Sequence, residues 1–168
     1  MTTPKKLQAQ ARLATPLGEM TAAATDCGLA GLWFDGQAYH PGPLAAPVDP
    51  QQRWLKAAQQ ALDDYFSGAS DPLKGLPLDL QGTAFQQSVW RALQGIPRGR
   101  TSTYARIAAA AGSPAAVRAA GAAIGRNPVS VLVPCHRVLG ADGSLTGYAG
   151  GLPRKRALLL HEGVTLNG

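Results

Sequence analysis

The stretch "VPCHRVLG", residues 133–140, sets a thiol, an imidazole and a guanidinium side by side in a chain with two cysteines and three histidines. Three roles are open to such a cysteine. As a zinc ligand it is poorly placed: zinc sites take four ligands, usually as spaced pairs. Adjacent Cys135 and His136 chelate badly, and Cys27, His40 and His161 are scattered along the chain. As a nucleophile it fits better. The thiolate is the reactive form, and a thiol titrating near about 8.5 needs a base to give up its proton at neutral pH. His136 is next in sequence, and Glu162, one of only two glutamates, can orient it, so a Cys–His–Glu relay is available. The third role, a small buried apolar residue, stays open, and His161-Glu162 also reads as a plain helix end.

Several elements must position these residues. Val129, Val131, Leu132 and Val133 form an apolar, β-branched run that predicts a buried strand ended by Pro134, with Cys135 where the strand leaves the core. Upstream, Thr83 caps a helix carrying Phe85, Val89, Trp90 and Leu93, stopped by Gly95 and Pro97. "TSTYARIAAAAG" predicts a helix from about 103 to 111. "SPAAVRAAGAAIGRNP" predicts another, with Ser113 as N-cap and Pro114 in its first turn. Two short helices joined by Gly-Ser-Pro have the form of a helix-turn-helix. Downstream, a glycine-rich loop leads to a helix from Pro153 to Glu162. The first half predicts two short strands around an Asp26-Cys27-Gly28 turn, a proline-rich loop at 40–50, and a helix with Trp54, Ala58, Ala61, Leu62 and Tyr65 on one face, stopped by Gly68. Residues 67–82 read as a linker or crossover.

Charge divides the chain at the same place. Residues 1–79 carry six Lys/Arg and eight Asp/Glu, whereas 80–168 carry ten Lys/Arg, nine of them arginine, against only Asp142 and Glu162. An arginine-rich half suggests a polyanion partner. Residues 114–125 hold six alanines and two glycines, and Arg118 is the one charged side chain. A helix that reads bases in the major groove needs several long polar side chains. This one suits a narrow space, either a minor groove or a packed core, and Arg118 favours nucleic acid. No run approaches the ~20 apolar residues of a membrane span, and the N-terminus lacks the apolar core of a secretory signal. An intracellular, cytoplasmic protein with both thiols reduced is expected.

Together, "FQQSVWRAL", "TYARIA", "AVRAAGAAIGRNP", "VPCHRV", "GYAGGL" and "RKRALLLHEG" resemble, in order and spacing, the O6-alkylguanine-DNA alkyltransferases. The resemblance covers most of the chain and is looser over residues 1–80. It implies a ribonuclease-H-like α/β N-terminal domain at 1–79 and a mainly α-helical C-terminal domain with a helix-turn-helix at 80–168. It implies Cys135 as alkyl acceptor, His136 deprotonating it through a water, and Glu162 polarising His136. Asn127 would bond around the turn that bears the cysteine. Tyr104 would help rotate the damaged nucleotide and donate to guanine N3. Arg118 would fill the vacated stack, with Ala119 and Gly121 on the smooth face against the minor groove of double-stranded alkylated DNA. Val138, Tyr148, Ala149 and Gly150 would line the guanine pocket. No cofactor is implied, and a monomer is expected.

Some members of that family hold zinc in the N-terminal domain; Cys27 and His40 are the only candidates there, so no metal is expected. Two other classes compete. A helix-turn-helix regulator with a structural cysteine would read sequence in the major groove, against which the Ala/Gly helix speaks. A cysteine hydrolase would turn over and has no need of so basic a half.

Overall fold

The structure is a computed structural model that describes residues 5–69 and 71–166. Residues 1–4 of the expected first domain, residue 70 of the expected linker and residues 167–168 lie outside the described residues. The chain divides into two compact units, with the boundary between Gln81 and Gly82.

In the first unit three antiparallel strands, β1 (Ala9–Thr15), β2 (Gly18–Ala24) and β3 (Leu29–Phe34), form a sheet in sequence order. The turn between β2 and β3 falls where the sequence puts it. β1 is an addition to the expected strands. Its inward residues Ala9, Ala11 and Leu13 alternate with more exposed ones, the period of a half-buried strand, but two of the three are alanine and give little hydrophobic signal. Helix α1 (Arg53–Phe66) buries Leu55, Ala58, Ala61, Leu62 and Tyr65. The expected face is therefore corrected at its first turn. Leu55 points inward, while Trp54 is only half-buried and donates its indole N–H to the Asp26 carbonyl at 3.2 Å. The expected linker is partly ordered against this sheet: Leu29 N–H donates to the Pro77 carbonyl at 2.9 Å, and Asp79 N–H to the Leu29 carbonyl at 2.8 Å.

The second unit is mainly helical. Helix α2 (Ala84–Gln94) starts in a capping box: the Thr83 hydroxyl accepts from Gln86 N–H while the Gln86 side chain accepts from Thr83 N–H. Such a box satisfies two otherwise orphaned amides. A two-residue strand β4 (Ser102–Thr103) leads into α3 (Tyr104–Ala110), capped by Thr103. Helix α4 (Val117–Gly125) begins later than Ser113-Pro114 predict. Ala116 occupies the cap without a side-chain bond, and the Ser113 carbonyl closes a turn onto Ala116 N–H at 2.9 Å. Pro114 thus shapes the turn between two helices rather than the first turn of the second. After a short 3₁₀ turn at Cys135–Arg137, strand β5 (Val138–Leu139) pairs in parallel with β4, and α5 (Leu152–His161) follows.

The predicted strand over 129–133 is not a strand. Val129, Val131, Leu132 and Val133 are buried as expected, but the segment coils through local turns, with Leu132 N–H on the Ser130 carbonyl and Val133 N–H on the Val129 carbonyl. Val131 has φ of 73°, a left-handed conformation that a β-branched residue adopts only under constraint. The physical reason is that a side chain, not a neighbouring strand, satisfies this backbone. The Asn127 amide donates to the carbonyls of Val129 (3.2 Å) and Val133 (2.8 Å) and accepts from Val129 N–H (3.0 Å).

No helix among the described residues is long and apolar enough to cross a membrane. The core of the second unit is closed by Trp90, whose indole N–H donates to the Ala123 carbonyl at 2.8 Å and so ties α2 to α4. Trp90→Phe keeps an aromatic ring but strands a buried acceptor. It is expected to destabilise the chain by about 1–3 kcal/mol, read as a lower urea midpoint by circular dichroism.

Candidate active site

The site is built where α5 meets the turn that carries the cysteine. Cys135, His136 and Arg137 occupy the 3₁₀ turn and are all buried. His136 Nε2 lies 2.7 Å from Glu162 Oε2, and both side chains are fully buried. Arg137 grips the same carboxylate with a fork: Nε to Oε1 at 2.7 Å and Nη2 to Oε2 at 3.1 Å. Its Nη1 donates to the Ile96 carbonyl at 2.6 Å. Two parallel bonds from a planar guanidinium fix a carboxylate in orientation as well as in charge. Sequence reasoning quoted Arg137 within its motif and gave it no task.

Burial governs the two titrating groups beside it. It pushes the Cys135 thiol up to about 11, opposed by the Asn127 side chain and by the charge of Lys155. Burial also holds His136 below its ordinary value of 6.5, against the pull of Glu162. At neutral pH the resting site is therefore a thiol beside an uncharged imidazole. With Nε2–H donated to Glu162, the lone pair of that imidazole is on Nδ1.

The structure brings the other expected residues to this turn or away from it as follows. Asn127 lies under it through the bonds already described. Val138 follows it directly, buried, with its N–H on the Cys135 carbonyl. The Tyr148 ring stands edge-on to His136, with centroids 6.4 Å apart. Ala149 is half-buried and Gly150 buried in the same loop. Tyr104 opens α3 and reaches that loop, its hydroxyl 3.0 Å from Thr146 Oγ1. A Cβ on Gly121 would stand 3.7 Å from the Tyr104 ring, so α4 passes close to Tyr104. Arg118 and Ala119 are exposed on α4, while Ala120, Ala123 and Ile124 are buried. One face of this helix packs and the other is offered to solvent.

Sequence reasoning also missed Lys155. It is fully buried, and its ammonium donates to the carbonyls of Thr146 (2.6 Å) and Gly147 (3.1 Å). Helical spacing could have found it: Lys155, Leu158, Leu159 and Glu162 recur at i, i+3, i+4 and i+7, the buried stripe of α5. Among the described residues no group of three or more His, Cys, Asp or Glu could hold a metal ion.

The depressed His136 has a consequence for stability. Between its folded value and 6.5 the unfolded chain binds more protons than the folded one, so stability rises with pH across that window and falls on acidification. Urea unfolding should show a loss of up to about 1.4 kcal/mol per pH unit below pH 6.5 from this one group. His136→Gln should remove that part of the slope.

Comparison with known proteins covers both units. The family model described as "6-O-methylguanine DNA methyltransferase, ribonuclease-like domain" matches residues 10–80, and "6-O-methylguanine DNA methyltransferase, DNA binding domain" matches 84–164. A Mycolicibacterium paratuberculosis protein named methylated-DNA–protein-cysteine methyltransferase is 45% identical over 148 residues, covering 88% of each chain. A Haemophilus influenzae protein of the same name is 39% identical over 88% of this chain and 82% of its own. The crystal structure of Mycobacterium tuberculosis OGT in complex with DNA superposes with a TM-score of 0.82 at 42% identity, covering 92% of each chain. With both halves matched in order and the likeness running through nearly the full length of these relatives, the chain belongs to the 6-O-methylguanine DNA methyltransferase family.

Proposed function

We propose that this protein repairs DNA directly, by moving the alkyl group of an O6-alkylguanine onto its own Cys135. The observation that carries this reading is the buried thiol of Cys135 followed at once by an imidazole locked onto a buried glutamate at 2.7 Å. The Cys135 proton passes, through a water, to Nδ1 of His136, whose developing charge Glu162 balances while Arg137 holds the carboxylate in place. The sulfur attacks the alkyl carbon in line. The S–C bond forms as the C–O6 bond breaks, and guanine leaves as an anion that takes a proton at N3 from Tyr104, whose own proton is made good by the one His136 took, returned through water. The product is a thioether. No group of the site offers a way to cleave it, so one chain repairs one lesion.

The lesion reaches the thiol only if its nucleotide leaves the duplex, at a cost of a few kcal/mol. Val138, Tyr148, Ala149 and Gly150 receive the base. Arg118, the one long side chain on the exposed face of α4, fills the hole behind it, and the smooth surface at Ala119 and Gly121 lets the helix enter the minor groove. Damage search needs no sequence reading there, and phosphate contacts from the arginine-rich half supply the affinity. The regulator reading leaves the buried relay without a task, and the hydrolase reading leaves this helix and the basic half without one. One acceptor thiol and one pocket loop in one chain make a monomer the working unit, acting on DNA in the cytoplasm.

Incubation with duplex DNA containing O6-methylguanine should add the mass of one methylene to the intact chain, located on Cys135. Cys135→Ser should abolish the gain yet still bind DNA. Residual transfer in that variant would sink the assignment. Arg118→Ala should slow single-turnover repair of duplex DNA by about 1–3 kcal/mol, the scale of unstacking a base. It should scarcely touch reaction with free O6-benzylguanine, which needs no flipping. Equal losses on both substrates would assign Arg118 a structural role.

A further inference from the structure

Thr146 stands on the loop after β5, and its side chain is exposed, so it adds nothing to the core. Its polar atoms nevertheless converge on one phenol. Thr146 Oγ1 lies 3.0 Å from the Tyr104 hydroxyl, and that hydroxyl donates to the Thr146 carbonyl at 3.3 Å. The two residues are 42 apart in sequence, and their contact joins the first residue of α3 to the loop that bears Tyr148, Ala149 and Gly150.

A phenol has one proton to donate and lone pairs with which to accept. With that proton on the Thr146 carbonyl, the bond to Oγ1 runs the other way, from the threonine hydroxyl into the phenol oxygen. The two bonds are unequal. The one to the carbonyl is long, and the same carbonyl already takes the Lys155 ammonium at 2.6 Å. It is the bond that the phenol gives up at least cost when a better acceptor arrives. The one from the threonine hydroxyl is shorter and leaves the phenol's proton free to move. The Tyr104 ring is also walled by α4, since a Cβ on Gly121 would stand 3.7 Å from it.

Resting on the alkyl-transfer reading, we propose that Thr146 is a positioning residue for that reaction: its hydroxyl donates to the Tyr104 oxygen, turns the phenol's proton toward guanine N3, and steadies the phenolate left when that proton goes. In this step the Tyr104 O–H bond breaks, an N3–H bond forms, and the electron pair stays on the phenol oxygen. Thr146 keeps its own proton throughout, and the proton that His136 took restores the phenol. A fixed donor is worth most where negative charge develops. A bond open to water in the free chain also gains strength once DNA covers it.

The test is single-turnover methyl transfer by the full chain on two duplexes. One carries O6-methylguanine. The other carries O6-methyl-3-deazaguanine, in which a C–H replaces N3 and takes no proton. The variants are Thr146→Val, which keeps the shape and the methyl that faces Gly140, Thr146→Ser, Tyr104→Phe, and the double variant of valine with phenylalanine. On O6-methylguanine, Thr146→Val is expected to react roughly fivefold more slowly, the scale of one hydrogen bond. Thr146→Ser is expected to recover most of that loss, and the double variant to be no slower than Tyr104→Phe alone, as for two residues acting through one contact. On the 3-deaza base, Thr146→Val and the native chain are expected to react alike. An equal loss on both duplexes assigns Thr146 a merely structural part in the loop and overturns the proposal. So does a serine variant as slow as the valine one, or losses that multiply in the double variant. If the native chain takes no methyl group from O6-methylguanine, the proposed function fails and this role falls with it; if the native chain transfers and the variants lack this pattern, the role of Thr146 alone is lost.

Discussion

The buried carboxylate of Glu162 is the interaction on which the second unit turns. It sits at the C-terminal end of α5 and is shared by His136 and Arg137, both on the turn that bears the cysteine. A buried carboxylate without partners would be expelled or neutralised. Here the two oxygens accept three bonds, and the guanidinium that supplies two of them reaches on to the Ile96 carbonyl at the end of α2. One acid thereby fixes the orientation of the imidazole and joins the turn to elements far apart in sequence. Removing it would leave a buried arginine without its charge partner and an imidazole without its tautomer.

Around that pair, desolvation sets the state of every reactive group in the same direction, toward neutrality. The thiol is kept protonated and the imidazole uncharged. A thiol in this condition depends on a base for its reactivity, and the imidazole next in sequence, held in one orientation by its glutamate, is the candidate.

Much of this was legible in the sequence, because local chemistry and local periodicity carried it. Thr83 caps α2 as its place before the helix suggests; Gly112 and the residues after it separate two helices; Cys135, His136 and Glu162 are rare residue types in a basic half. What was not legible depended on partners remote in sequence. The run at Val129–Val133 has the composition of a buried strand and the burial of one, but whether it pairs depends on a neighbour, and the Asn127 side chain took that place. Trp54 and Leu55 are both apolar enough to face inward, and a carbonyl at Asp26 decided between them. Lys155 was passed over because a lysine suggests solvent, although its spacing from Leu158, Leu159 and Glu162 marks the buried stripe. Arg137 was hidden by its neighbours, since a basic residue beside Cys-His reads as one more surface charge.

The distance along the chain between His136 and Glu162 is 26 residues, and it gives the site a history within synthesis itself. A ribosome delivers the cysteine, the histidine and the arginine well before the acid that completes them. Until α5 is made and docks, the turn lacks the carboxylate that sets the imidazole's tautomer and takes the arginine's fork. The site is therefore completed only when the last helix packs, and whatever loosens that helix loosens the site with it.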